Sequence, residues 1–210
     1  MKIGIVHASP KHGKNSTESF AHVLANMLPE HEISHLRVKD ARWNQKEESH
    51  LVECDALVLC FPLYIDAVPS HFLFVLQEWE IIFKEMHENK PKIYVIVNCG
   101  FFEGEHTRVV FEILKNWCHK AKLEWGMGLG IGAGPMFAQA HAGDLNQRPN
   151  AVLAEKIRTM ADVIDQLETA DTIYISPNFP KFFYIHMGNL GWVLQAKKNG
   201  LRKKDLHVKP

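Results

Sequence analysis

The segment Ala8-Ser9-Pro10-Lys11-His12-Gly13-Lys14-Asn15-Ser16-Thr17 places three hydroxyls, two lysines and a glycine directly before a helical pattern. Hydroxyls and backbone N–H groups at a helix N-terminus bind phosphate, aided by the positive end of the helix dipole. Lys11 and Lys14 add charge, and Gly13 lets the backbone approach closely. The stretch also reads as an ordinary helix start, because Asn15 or Ser16 caps the helix with or without a ligand. The spacing departs from GxxxxGK(S/T), and GxGxxG is absent, which disfavours a dinucleotide site of that design.

Two further segments follow apolar runs. Pro62-Leu63-Tyr64-Ile65-Asp66-Ala67-Val68-Pro69 is an apolar loop with an aromatic, braced by prolines, and suits the edge of a planar ring; alternatively, Tyr64 is a half-buried loop residue and the prolines start a helix. Asn98-Cys99-Gly100-Phe101-Phe102-Glu103-Gly104-Glu105 has two glycines that free the backbone to present N–H donors toward negative charge on a ring edge. Glu103 either accepts a hydrogen bond from a ring or substrate N–H or, with Glu105, is an acidic first-turn residue of the next helix.

The elements that must position these loops are strands alternating with helices. Lys2–His7, Ile33–Val38, Asp55–Phe61, Lys92–Asn98 and Leu123–Gly132 read as strands, the last weakened by its glycines. Ser16–Leu28 carries the helical stripe Phe20, Val23, Leu24, Met27 and Leu28. Similar stripes follow Pro69 (Phe72, Leu73, Leu76, Trp79, Phe83, Met86) and cover His106–Lys122 and Asn150–Thr169. This alternation predicts an α/β three-layer sandwich on a five-stranded parallel sheet, most economically in the order 2-1-3-4-5. Ligands in such sheets bind outside the carboxyl ends of the strands, where the strand order reverses, and the three loops follow strands one, three and four. One domain over 1–210 is expected, with a core of about 1–170 and an extension of about 171–210.

These residues resemble the flavodoxin-like NAD(P)H-dependent FMN reductase and quinone reductase family. Ser9-Pro10-Lys11 through Asn15-Ser16-Thr17 is similar to its phosphate loop, Pro62-Leu63-Tyr64 to its P-x-Y segment, and Asn98-Cys99-Gly100-Phe101 to its third flavin loop. The resemblance implies FMN as cofactor and NAD(P)H as electron donor. Ser9, Lys11, Asn15, Ser16 and Thr17 would surround the phosphate, Pro62, Leu63 and Tyr64 would border the ring, and Asn98, Cys99, Gly100, Phe101 and Glu103 would form its polar edge. It also implies a ping-pong oxidoreductase passing electrons to a quinone, a nitro or azo compound or free flavin, often as a homodimer, with no catalytic side chain because the flavin carries the chemistry. Lys11 stands where an arginine is common, exchanging a bidentate fork for a point charge. The clustered cysteines of the family's iron–sulfur branch and the T-x-T-G-x-T pattern of small flavodoxins are both missing. A flavodoxin-like electron carrier without NAD(P)H turnover, and an α/β interaction domain without flavin, are the alternatives.

Gly134–Pro149 has no clear periodicity and reads as a candidate lid, with Met136, Phe137 and His141 lining a substrate slot, or as a plain mobile loop. The extension gathers Phe182, Phe183, Tyr184, Ile185, Leu190, Trp192 and Leu194 before Lys197-Lys198 and Arg202-Lys203-Lys204. It is expected to pack on the body or across a dimer, with a membrane-surface role as the other reading. Lys+Arg and Asp+Glu are both 24, which disfavours a nucleic-acid partner. A membrane-spanning run and a targeting signal are not evident, and the four cysteines lack metal-ligand spacing, so no metal and a cytoplasmic setting are expected.

Overall fold

The computed structural model describes residues 1–11, 13, 15–43, 48–140 and 150–207. Strands β1 (Lys2–His7), β2 (Glu32–Arg37), β3 (Ala56–Pro62), β4 (Lys92–Asn98), β5 (Trp125–Ile131) and β6 (Ile173–Ile175) form one parallel sheet in the order β2-β1-β3-β4-β5-β6. The sheet thus has a sixth strand beyond the five expected. β6 has only three residues, too few for a periodic signal, and it pairs with β5 through Leu129↔Ile173, Gly130↔Tyr174 and Ile131↔Ile175.

Side chains alternate across a strand, so each central strand feeds two cores. In β3, Ala56, Val58 and Cys60 join one cluster with Phe20, Val23 and Leu24 of α1 (Ser16–Asn26). The same cluster takes in Leu153, Ile157, Met160 and Ile164 of a helix over Asn150–Asp165. Leu57, Leu59 and Phe61 enter the opposite cluster. There they meet Phe72, Leu76, Trp79 and Phe83 of a helix over Ser70–Glu85, and Val110, Phe111, Leu114 and Trp117 of one over Arg108–Ala121. In chain order the helices are α1, α2 (Glu48–Val52), α3 (Ser70–Glu85), α4 (Arg108–Ala121), α5 (Gly134–Ala140), α6 (Asn150–Asp165) and α7 (Lys181–Lys198).

The glycines of β5 serve as notches. A Cβ on Gly126 would lie 2.4 Å from the Tyr94 ring, and one on Gly130 would lie 2.1 Å from Thr107 Oγ1. A strand that looks weak by propensity is held by neighbours that need its missing side chains. The segment expected as a lid begins instead as α5, whose Phe137 is fully buried in the α1-side core. His141 and the rest of that segment to Pro149 lie outside the described residues.

The chain divides into two compact units, Met1–Pro177 and Asn178–Pro210. The second contains α7 and a 3₁₀ turn over Lys203–His207. Gly200 has φ +77°, and the Leu201 N–H returns to the Ala196 carbonyl at 2.9 Å, closing the C-terminal end of α7.

Candidate functional site

One cleft of about 270 Å³ opens at the carboxyl ends of β1, β3 and β4. It is lined by Ser9, Lys11, Asn15, Ser16 and Thr17 from the first loop, Pro62, Leu63 and Tyr64 from the second, Asn98, Cys99 and Gly100 from the third, and Pro135 of α5. Right-handed β–α–β crossovers bring these loops together although they are far apart in sequence.

Asn15 is the N-cap of α1, with φ −142° and ψ 160°, and its side chain accepts from the Glu18 N–H at 3.0 Å. Its Nδ2 donates to the carbonyl of Gly13 at 3.1 Å, and Gly13 holds φ +81°, which a glycine adopts without strain. The amides of Ser16 and Thr17 then stand at the first two helical positions, where no intrahelical carbonyl can reach them. Lys11 and Ser16 line the same cleft, so the corner gathers donors and positive charge of the kind that suits an anion. The capping reading of this loop holds: Asn15 caps α1, and the cap leaves the Ser16 and Thr17 amides without intrahelical partners.

Thr17 plays a different part. It is buried, and its hydroxyl donates to Asn98 Oδ1 at 2.6 Å. That proton is committed to the end of β4, so the Thr17 hydroxyl has none to donate elsewhere and only its amide is left as a donor. Asn98 is also held through its backbone, and its side chain sits close against Gly134. Its carbonyl accepts from the Leu63 N–H at 2.8 Å, and a Cβ on Gly134 would lie 2.9 Å from its Nδ2.

The second loop is a strained lip. Tyr64 and Ala67 exchange backbone hydrogen bonds of 3.2 and 3.0 Å, and the two residues between them, Ile65 and Asp66, hold φ +47° and +55°. Such a turn is normally Asn-Gly, and a β-branched residue there costs about 1–2 kcal/mol. Ile65 is 98% exposed and Tyr64 48%, and of the two only Tyr64 lines the cleft.

The third loop contributes less than expected. The Cys99 amide donates to Ile131 at 2.9 Å, and burial raises its thiol above the usual thiol range. Phe101 and Glu103 do not line the cleft. Phe101 lies 4.4 Å from the His106 ring, centroid to centroid, and the Glu103 carboxylate faces His106 at 3.5 Å. The Gly104 amide donates to Ser176 Oγ at 3.2 Å, which places that glycine under β6. Met136 and Phe137 pack in the α1-side core and do not line the cleft either. Pro135 does, and its signal was the Gly134-Pro135 pair after β5, a helix start with proline in the first turn.

A second hollow of about 170 Å³ shares Ser9, Lys11 and Asn15 and adds His7, Gly13, Glu18, Arg37 and Lys39. His7 Nε2 lies 2.9 Å from His35 Nδ1, and the ring of His22 lies 6.0 Å from that of His7. Burial, with help from His35 and Arg37, pushes the His7 pKa down to about 4. Arg37 pairs with Glu18 at 2.6 Å. Among the described residues, no group of three or more His, Cys, Asp or Glu is arranged to hold a metal ion.

No family model matches the chain, and no curated protein matches it in sequence. Solved structures do resemble it. An NAD(P)H:quinone oxidoreductase from Methanothermobacter marburgensis aligns with TM-score 0.59 and 12% identity over 79% of this chain and 96% of that one. A flavodoxin from Streptococcus pneumonia TIGR4 aligns with TM-score 0.53 and 16% identity over 80% and 99%. The rubredoxin oxygen:oxidoreductase of Desulfovibrio gigas aligns with TM-score 0.55 and 17% identity over 79% of this chain, which spans 35% of that longer protein. The fold is flavodoxin-like.

Proposed function

We propose that this chain binds FMN in the cleft and acts as an oxidoreductase, passing electrons from NAD(P)H to a small acceptor by a ping-pong mechanism. The observation that carries this reading is one cleft lined by loops after β1, β3 and β4, which brings Lys11 and the start of α1 together with Pro62, Leu63 and Tyr64. Likeness in fold to a quinone oxidoreductase and a flavodoxin supports it. When bound, the flavin supplies the two-electron chemistry, taking hydride from a nicotinamide and yielding electrons to a quinone, a nitro or azo compound or free flavin.

The chain's own residues bind and orient. Lys11, the Ser16 hydroxyl and the Ser16 and Thr17 amides hold the phosphate, with Ser9 and Asn15 completing that corner. Pro62, Leu63, Tyr64 and Pro135 wall the ring, and Asn98 to Gly100 border its polar edge. The reading includes a homodimer, as the resemblance implies, in the cytoplasmic setting expected from the sequence.

The flavodoxin likeness favours a second reading, an electron carrier without NAD(P)H turnover. Addition of NADH or NADPH under nitrogen to the FMN-loaded protein separates the two. Bleaching of the oxidised flavin spectrum is the result expected of a reductase. An unchanged spectrum with both nucleotides would leave the carrier.

A further inference from the structure

The unit Asn178–Pro210 differs in chemistry from the rest of the chain. Residues 178–210 hold seven Lys or Arg against one Asp, a charge of +6. The whole chain is formally neutral, which leaves −6 on residues 1–177. Within the unit, Phe182, Phe183, Ile185, Met187, Leu190, Trp192 and Leu194 of α7 are 45–65% exposed. Leu201 and Leu206 beyond it are exposed as well. Soluble surfaces rarely gather so much apolar area in one place.

The distribution around the helix narrows what can cover it. At 3.6 residues per turn, Phe183, Met187, Leu190 and Leu194 form one stripe, and Phe182, Ile185 and Trp192 form another nearly opposite. The strip poor in large apolar groups runs through Tyr184, Gly188, Gly191 and Gln195, with His186 and Asn189 the polar positions elsewhere. A protein partner, a second α7 included, covers one stripe and leaves the other in water. A second copy of this unit would also bring its +6 charge against another +6. A medium that is apolar on several sides and negative at its boundary fits both features.

We propose that α7 and the basic segment after it bind the surface of an anionic lipid bilayer, with the apolar stripes in the boundary between headgroups and acyl chains. The charges lie where such a helix needs them. Between Phe182 and Ala196 the helix has no Asp, Glu, Lys or Arg, while Lys181 precedes that stretch and Lys197, Lys198, Arg202, Lys203 and Lys204 follow it. Those cations reach lipid phosphates while their stems cover apolar surface. Those fifteen uncharged residues extend about 22 Å, short of the roughly 30 Å hydrocarbon core. No helix among the described residues is long and apolar enough to cross a membrane. The unit therefore lies along the bilayer boundary, sunk about 5–10 Å, so that headgroups and acyl chains cover both stripes. This inference does not depend on the flavin reading.

Co-sedimentation of the full chain with vesicles is the test, using phosphatidylcholine alone and phosphatidylcholine mixed with phosphatidylglycerol. Binding to the anionic vesicles should exceed binding to the neutral ones by about tenfold or more and weaken as salt is raised. The double variant Phe183→Glu with Trp192→Glu should stay in the supernatant. Lys197→Glu with Lys198→Glu should lose the preference for anionic lipid while keeping every apolar group. Both should unfold in urea at the wild-type midpoint, since unit Met1–Pro177 carries the cores. Wild-type protein that stays in the supernatant with anionic vesicles would overturn the proposal. So would a Phe183→Glu, Trp192→Glu variant that still sediments, or one that converts a dimer to a monomer, which would assign the helix to a second copy.

Discussion

The Thr17 hydroxyl donates to Asn98 Oδ1 across 2.6 Å, and both residues are buried. Eighty-one positions separate them. The bond joins the first turn of α1 to the carboxyl end of β4, so the corner that presents amides to an anion and the loop that borders the far side of the cleft share one anchor. Thr17→Val removes the donor and leaves an amide oxygen unpaired in the interior. Stability should fall by about 1–3 kcal/mol, while Thr17→Ser should retain most of it. Urea unfolding followed by circular dichroism reads both, and an unaltered midpoint for the valine variant would show that the bond contributes nothing.

Lys11 and Ser16 stand on the same loop without that anchoring duty. Lys11→Ala and Ser16→Ala should each weaken FMN binding by about 1–3 kcal/mol, the range for hydrogen bonds to a charged group, and leave thermal unfolding of the free protein nearly unchanged. Flavin fluorescence titration gives the affinities. Equal affinity in wild type and both variants would place the phosphate elsewhere.

Gly134 lets α5 start directly against Asn98. A Cβ there would lie 2.9 Å from Asn98 Nδ2 and 3.2 Å from the Cys99 carbonyl. Gly134→Ala must displace the anchor of the cleft or the start of α5, at a cost of about 1–3 kcal/mol for forced overpacking. Flavin affinity should fall together with stability, unlike in the Lys11 and Ser16 variants. Calorimetric unfolding with and without FMN separates the two patterns.

Buried His7, paired with the more exposed His35 beside His22, Arg37 and Glu18, gives stability a pH dependence. His7 titrates near 4 in the folded chain against an ordinary value of 6.5. The unfolded chain therefore binds more protons between those values, and the folded state loses stability as pH falls from 6.5 toward 4. The His7 contribution to that loss is on the order of 3 kcal/mol at full effect. His35 and His71, also pushed down by burial, act in the same direction. Urea midpoints measured at pH 7 and pH 4.5 should differ less in His7→Gln than in wild type; an equal difference would contradict the assignment.

Local spacing made the first corner legible. Lys11, Asn15, Ser16 and Thr17 lie together in sequence, and the apolar runs at Asp55–Phe61 and Lys92–Asn98 fixed which loops would meet them. What the chain concealed depends on distant packing. Nothing near Thr17 indicates that its proton goes to Asn98. Glu103 and Phe101 turn to His106, because the 3₁₀ turn at Gly104–Thr107 is drawn in beneath β6, and β6 is too short to show a period. The glycines of β5 read as weakness because their partners, Tyr94, Phe111 and Thr107, come from other elements. In α7, two apolar stripes on nearly opposite faces cancel the one-sided pattern by which a helix is read, so the helix itself was not foreseen.

The central claim is that the cleft holds a flavin mononucleotide. Titration of the purified chain with FMN, followed by quenching of flavin fluorescence, tests it most directly. Saturable binding at one flavin per chain, weakened by Lys11→Ala, is the predicted result. A protein that leaves flavin fluorescence unchanged at every ratio would contradict it.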